Sequence, residues 1–500
     1  MSNKRFLKII EATKEEYNQL KLALTHKINN WRFHPLVKKA VWNGEISFIK
    51  NNLIPSGLWL ETYNILNKYN FKYEIEGIKE LFDLKINKEN FNEWVKIFFD
   101  GYKKYPRDYQ IETAYKILKY RRCLAELATS AGKSLIMFMI IAYLLQKNII
   151  KKILLIVPNV SLVGQLFEDF IEYNHKNELK INIQQIYAGK KLNDNSNIVI
   201  GTYQSLTKME SEFFTDYDMV IIDETHKGNN NSVKNVLNNL WHAEYRIGLS
   251  GTIPKQDKNI VEYLTLVSNT GPIITEINAD FLMQNNYIAP LKISIFILNY
   301  ATDEQKKSFY DLRNITTLDE KTDVFALENN FVINNEKRFN FIIEIISKIT
   351  KNTMILFHRI EYGMKIYNTL RDKLQNPVYY VDGEINTNIR KEYIEKMEEI
   401  SDIPKILVSS FGTFGTGINI TNLYNIFLVE SFKSDSIIRQ SIGRGLRLHE
   451  NKEILNVIDF VDDLRYKNTN YTNYLYEHGL ERQNIYLTQN FNFKIININI

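Results

Sequence analysis

The chain has almost no cysteine: Cys123 stands alone among 500 residues. That excludes an intrachain disulfide and a cysteine-based zinc site. Long apolar runs are missing as well. The longest, Leu135 to Leu145, has the length of a buried core helix rather than a membrane span. Met1 to Tyr17 alternates charge with short apolar runs and has no signal-peptide core. No membrane contact and a cytoplasmic location are therefore expected. Strong charge of one sign is absent too. The 63 basic and 58 acidic residues leave a net charge of only +5. Such a balance permits nucleic-acid binding through a clustered basic face without demanding it. There is no short-period repeat and no long low-complexity linker. Hydrophobic content of 44% and charged content of 24% are those of a globular protein. Five hundred residues exceed one core, so about three domains are expected.

The stretch that organises the rest is Leu127-Ala128-Thr129-Ser130-Ala131-Gly132-Lys133-Ser134, which runs into the apolar segment Leu135–Ile141. It reads as a small-residue loop opening a buried helix. Helix N-termini carry unpaired N–H groups and a partial positive charge, and so bind anions. In a P-loop, Gly132 lets the backbone close on phosphates, Lys133 reaches the β/γ-phosphates and Ser134 ligates Mg²⁺. Leu127 stands where the pattern's first glycine would be.

Around it, short β-rich runs alternate with amphipathic helical stretches: Ile153–Val157, Ile198–Gly201, Met219–Ile222 and Tyr245–Leu249. That is the signature of a parallel sheet covered by helices. The alternation stops near Pro272 and resumes at Thr353–Phe357, Val378–Val381, Lys405–Ser409 and Ile426–Val429. Two α/β units of similar design follow one another, with a hinge expected near Asp280–Pro290. Residues 1–99 read as a separate small α/β domain of β-α-β-β-α-β order, forming one sheet. It has a strand at Lys4–Ile10, a capping box at Thr13 to Glu16, a hairpin at Ala40–Ile46 turning on Asn43-Gly44, and a strand at Phe71–Ile75. Trp31, Arg32, Lys38, Lys39, Trp42 and Lys50 make either a basic, aromatic binding surface or a plain mixture of core tryptophans and solvated lysines.

Asp223-Glu224-Thr225-His226 follows the run Met219–Ile222. A carboxylate ending a buried parallel strand beside a P-loop suits the Mg²⁺ of a nucleotide. Asp223 would hold the metal, Glu224 would deprotonate water, and His226 would sense the γ-phosphate. Upstream, Arg107-Asp108-Tyr109-Gln110 offers a glutamine amide able to donate to and accept from adenine. Gly248–Thr252 places a hydroxyl pair after another strand. In the second unit, Gly415–Asn419 is a glycine loop. Arg444 and Arg447, three apart, are expected on one helical face as arginine fingers projecting into the cleft between the units.

Taken in order, these segments resemble the motifs of a superfamily-2 DExH-type DNA helicase. Arg107–Gln110 is similar to the adenine motif, Ala128–Ser134 to motif I, Val157–Gln165 to Ia and Ile200–Gln204 to Ib. Asp223–His226 is similar to motif II, Gly248–Thr252 to III, Ile355–Arg359 to IV, Val408–Ile420 to V and Gln440–Arg447 to VI. The phrase Thr129–Ile136, the Trp42-Asn43-Gly44 turn and the tail Glu477–Arg482 resemble the branch-migration helicases of T4-like phages. Ala128 and Asn419 depart from the usual proline and aspartate; the second weakens any ribose contact there.

The resemblance implies two tandem RecA-like domains, at 105–279 and 291–470, behind the 1–99 DNA-binding domain, with 471–500 packing on the second. It implies ATP and Mg²⁺. The nucleotide would be held by Arg107, Gln110, Thr129, Ser130, Ala131, Gly132, Lys133, Ser134 and Gly417, and the metal by Ser134 and Asp223. The implied partner is branched or duplex DNA, tracked along one strand by a monomeric motor. If the source is viral, the location is the host cytoplasm. The other readings are a restriction-system motor subunit, an RNA-remodelling helicase and a non-catalytic clamp.

Overall fold

Ile153–Val157 is five consecutive aliphatic residues, and all are buried. A strand buried on both faces has no polar side to alternate with, so it belongs inside a parallel sheet. The computed structural model describes residues 6–74, 76, 86–176, 179–187, 196–228, 231–240, 242–300, 303–313, 323–414, 420–449, 452–466 and 472–500. It divides into two compact units, Met1–Ile277 and Asn278–Ile500.

In the first unit, Ile153–Val157 lies in a seven-stranded sheet whose pairings are all parallel. The order across it is Ile273–Ile277, Arg122–Leu127, Tyr245–Ser250, Met219–Asp223, Ile153–Val157, Ile198–Thr202 and Ile183–Ile186. The helix Lys133–Gln146 is apolar all round, with every residue from Leu135 to Leu144 buried, as befits a core helix. Among the described residues, no helix is long and apolar enough to cross a membrane.

The second unit repeats the design: seven strands, all parallel. Their order is Val378–Val381, Ile406–Ser410, Thr353–Phe357, Asn425–Leu428, Leu455–Asp463, Leu291–Asn299 and Phe493–Asn499. The chain's last strand is thus an edge of this sheet, and the helix Tyr474–Thr488 packs against Leu455–Asp463.

The N-terminal segment differs from the single sheet expected. Its strands form two separate antiparallel ribbons, Phe6–Lys8 with Leu53–Pro55 and Thr25–Lys27 with Glu45–Ser47. The capping box is present: Thr13 Oγ1 accepts from Glu16 N at 3.2 Å, and Glu16 Oε2 accepts from Thr13 N at 2.8 Å. The Asn43-Gly44 turn is not a hairpin tip. Gly44 takes a positive φ of 82°. Asn43 Oδ1 accepts from Glu45 N at 3.0 Å, and the strand that follows pairs with Thr25–Lys27 instead of with residues 40–42. Phe71–Glu74 is not a strand, and Ile75 lies outside the described residues. Three-residue strands carry no usable periodicity, so packing decides their partners. Here it does: Leu20, Leu24, Phe48, Ile49, Ile54 and Leu58 share one apolar core with Leu124, Leu264 and Val267 of the nucleotide-sheet region.

Candidate active site

Gly132 closes the loop before the helix Lys133–Gln146 with φ +78°. A side chain there would also collide with Gln110, whose Nε2 would lie 2.3 Å from a Cβ. That close approach serves a purpose. Gln110 is buried; its Nε2 donates to Ala131 O at 2.9 Å and its Oε1 accepts from Arg107 N at 2.9 Å. Tyr109 Oη donates to the same Ala131 carbonyl at 2.9 Å. The adenine-motif residues are therefore bonded to the phosphate loop. Thr129 and Ser130 form its turn, and Ser130 sits at φ +73°, a strained conformation for serine.

The strand Met219–Asp223 lies beside Tyr245–Ser250, which lies beside Arg122–Leu127. Their C-terminal ends bring Asp223, Ser250 and the phosphate loop to one edge, where ligands of open α/β sheets bind. Lys133 Nζ donates to Glu224 Oε1 at 2.7 Å and lies 3.7 Å from Asp223 Oδ1. His226 Nδ1 is 2.7 Å from Ser250 Oγ and 3.4 Å from Glu224 Oε2. Ser250 Oγ also donates to Thr252 O at 2.6 Å. Thr225 Oγ1 lies 2.9 Å from Ile222 O and 3.1 Å from Leu249 O. The Gly248–Thr252 segment is thereby stitched to the Asp223–His226 turn. Glu224 itself has φ +50°, a left-handed conformation that its surroundings must hold.

Two tyrosines that were not among the expected site residues join this constellation, although Tyr203 lies within the Ile200–Gln204 segment. Tyr173, ending the helix Val160–Tyr173, places its Oη 3.1 Å from Ser134 Oγ. Tyr203 Oη donates to Asp223 O at 3.1 Å and lies 3.5 Å from Glu224 O. Burial, with the Asp223 and Glu224 charges, pushes the Tyr203 phenol far above its ordinary pKa.

The second unit corrects one expectation. Arg444 lies in the last turn of the helix Asp435–Gly445, its guanidinium 5.6 Å from the Phe414 ring centroid. Arg447 lies beyond the helix end, so the two do not share a helical face. The cause is local. Gly445 packs so tightly that a Cβ would meet Ile426 at 2.7 Å and Leu455 at 2.8 Å. Lys452 Nζ then donates to Gly445 O and, at 3.2 Å, to Arg447 O, tying down the chain where the helix stops. Burial pushes the Lys452 ammonium down to about 7. Gly417, with the rest of the 415–419 loop, lies outside the described residues.

Two tandem parallel sheets, a phosphate loop and an Asp-Glu-x-His turn define a motor ATPase of the helicase kind. Residues 103–255 match the family model "Type III restriction enzyme, res subunit", and residues 337–449 match "Helicase conserved C-terminal domain". The chain is a superfamily-2 helicase of the DExH type, an ATP-dependent enzyme with two RecA-like domains. It is 29% identical to the "ATP-dependent DNA helicase uvsW" of Enterobacteria phage T4, over 98% of this chain and 97% of that one. The crystal structure of T4 UvsW superposes with a TM-score of 0.49 at 26% identity, covering 99% of this chain and 98% of that one. A fragment of a putative HsdR subunit of a type I restriction enzyme from Vibrio vulnificus YJ016 shares the fold. Its TM-score is 0.54 at 16% identity, over 91% of this chain and 77% of that one.

Proposed function

We propose that the chain is a DNA helicase that translocates on and remodels branched DNA, such as Holliday junctions, forks and R-loops, in phage-type recombination and repair. The observation that carries the ATPase part is the cluster Lys133, Asp223, Glu224 and His226 at the sheet's C-terminal edge. The DNA part rests on end-to-end similarity to a relative named as a DNA helicase, N-terminal segment included.

In this reading Arg107 and Gln110 take the adenine, and the backbone of Thr129–Gly132, with Lys133 and Ser134, cradles the phosphates. Gly417 is a further nucleotide-contact candidate by the family resemblance. Ser134 and Asp223 are hard oxygen donors, two in number. So sparse a set fits Mg²⁺, which keeps its waters and completes its shell with phosphate oxygens. Bound there by Ser134 and Asp223, Mg²⁺ would neutralise charge on the β- and γ-phosphates.

Lys133 pairs with Glu224 at 2.7 Å, so the base and the phosphate ligand hold each other. A triphosphate competes for the ammonium and releases the carboxylate. Glu224 then takes a proton from water, the water oxygen attacks the γ-phosphorus, and the bond to the bridging oxygen breaks as ADP leaves. His226, between Glu224 and Ser250, reports the γ-phosphate to the Gly248–Thr252 segment. Arg444 and Arg447 supply positive charge to the transition state.

The experiment is ATPase stimulation compared across single-stranded, duplex and four-way-junction DNA and RNA. Strongest stimulation by junctions supports the reading; equal or greater stimulation by RNA overturns the substrate assignment. The likeness to restriction motors favours a second reading, which a metal-dependent DNA nicking assay tests directly.

A further inference from the structure

We infer that Tyr203 is a positioning residue that couples nucleic-acid contact on the first unit to the rate of ATP hydrolysis. This rests on the reading above, that nucleic acid drives the ATPase.

Tyr203 begins a single helical turn, Tyr203–Leu206, directly after the strand Ile198–Thr202. That strand is separated from Met219–Asp223 by Ile153–Val157, so the two share no main-chain ladder. The Tyr203 side chain spans the gap. Its hydroxyl meets the peptide carbonyls of Asp223 and Glu224, at 3.1 and 3.5 Å, rather than their carboxylates. It therefore acts on the backbone that aims the carboxylates. Glu224 is the residue at φ +50°, and a conformation of that kind persists only while its neighbours enforce it. A small rotation of this peptide changes how the Glu224 carboxylate faces Lys133, at 2.7 Å, and His226, at 3.4 Å.

The turn has an inner and an outer side. Inside, Tyr203 and Leu206 belong to one core with Phe214, Tyr217, Val220 and Ile222. Outside, Gln204, Thr207 and Lys208 are exposed. Thr202 Oγ1 fastens the turn, accepting from Ser205 N at 3.3 Å and contacting Ser205 Oγ at 3.0 Å. A turn so fastened moves as one piece. A strand pressing on Gln204 and Lys208 shifts the phenol on the opposite side, and with it the Asp223–Glu224 peptide. The phenol stays protonated at any working pH, so it is a fixed strut and not a titrating group.

The test is Tyr203→Phe in the full chain, which keeps the ring in the core and removes only the hydroxyl. ATP turnover is measured with and without single-stranded DNA, alongside DNA affinity. The expected result is a roughly 10-fold fall in the stimulation ratio, with DNA affinity within about threefold, as for loss of one hydrogen bond to a buried carbonyl. A core tyrosine of merely structural value would lower stability and leave the ratio unchanged, and that outcome overturns the inference. Loss of DNA affinity itself also overturns it, because Tyr203 would then belong to the interface. If the parent protein shows no stimulation by any nucleic acid, the functional reading fails and the inference with it. Should Tyr203→Phe not fold, amide hydrogen exchange on the parent decides. Added single-stranded DNA should change protection at Glu224 and Thr225, and unchanged exchange there overturns the coupling.

Discussion

The two seven-stranded sheets share a design and treat their charges in opposite ways. In the first unit Lys133, Asp223 and Glu224 keep 11–15% of their side-chain surface exposed, with the ammonium 2.7 Å from Glu224 Oε1 and 3.7 Å from Asp223 Oδ1. In the second unit two ion pairs are sealed. Arg482 and Asp459 are 0% exposed, and the guanidinium donates to both carboxylate oxygens, to Phe432 O at 2.8 Å and to Phe460 O at 3.1 Å. Tyr486 Oη fills out Asp459 at 2.9 Å. Arg338 is bound just as fully, to Asp462, Tyr362 Oη and Val429 O. A buried ion pair with every hydrogen bond made has nothing left to offer a ligand. A pair at the sheet's C-terminal edge, partly open, does. In the reading proposed above, the same fold builds a reaction site where charge stays partly open and a framework where it is saturated.

The largest effect expected is at the exchangeable pair. Lys133→Ala should leave no measurable ATP turnover, since the phosphates lose their main counter-charge, yet thermal stability should hardly fall. A variant that unfolded instead would place Lys133 with the framework charges. Arg447→Ala comes next. As a finger it should reduce turnover by ~10³–10⁵-fold while nucleotide affinity changes much less. A loss confined to affinity, with saturated turnover intact, would count against that role.

On the proposed roles, Glu224→Gln removes the base and spares the metal ligand, so nucleotide should still bind while hydrolysis slows by roughly 10²–10⁴-fold. Hydrolysis at the parental rate would mean that another group activates the water. The mirror experiment lies in the second unit. Arg482→Ala should cost about 3–5 kcal/mol of stability because Asp459 is left charged and buried, whereas Arg482→Met with Asp459→Leu should come close to neutral. Denaturant midpoints separate the two cases. Equal destabilisation by both would show that the pair itself carries stability.

Much of this contrast was legible in the sequence, and the exceptions have a common cause. Ile153–Val157, Thr353–Phe357 and Val378–Val381 begin and end where the β-rich runs read from the sequence do. The strand leading into the phosphate loop, Arg122–Leu127, did not show itself. Arg122 reads as a surface charge, yet it is buried and donates to Ser56 Oγ at 2.7 Å and to Ala243 O at 3.3 Å. Leu455–Asp463 was hidden in the same way, Asp459 and Asp462 being paired by arginines distant in sequence. The catalytic candidates were legible because Gly132–Ser134 and Asp223–His226 are contiguous. Tyr173 and Tyr203 were not, because their contacts exist only in the folded sheet. Trp31 and Trp42 show the remaining failure. Trp31 is half-buried with the Lys27 ammonium 3.9 Å from its ring centroid, and Trp42 is half-buried with its indole N–H donating to Glu45 O at 2.9 Å. Phe33 and Val41, close by in the sequence, are by contrast each 72% accessible.

That segment supplies the smallest predicted effect. Its core is shared with Leu124 and Val267, so removing residues 1–99 would strip the first sheet of packing and confound any binding measurement. Point substitutions avoid this. Arg32, Lys38 and Lys39 are exposed beside Phe33, and the Lys38 ammonium lies 5.8 Å from the Phe33 ring centroid. A cationic, aromatic tip of this kind suits duplex or branched DNA outside the strand path. Lys38→Ala with Lys39→Ala should keep basal ATPase and thermal stability, because neither side chain is buried. Junction binding should weaken, and its salt dependence should become shallower by ~0.9 in the slope of log K against log salt for each DNA phosphate that is no longer neutralised. Unchanged affinity with an unchanged slope would make the segment a structural buttress for the first sheet, and the choice of branched over linear DNA would then have to reside in the second unit.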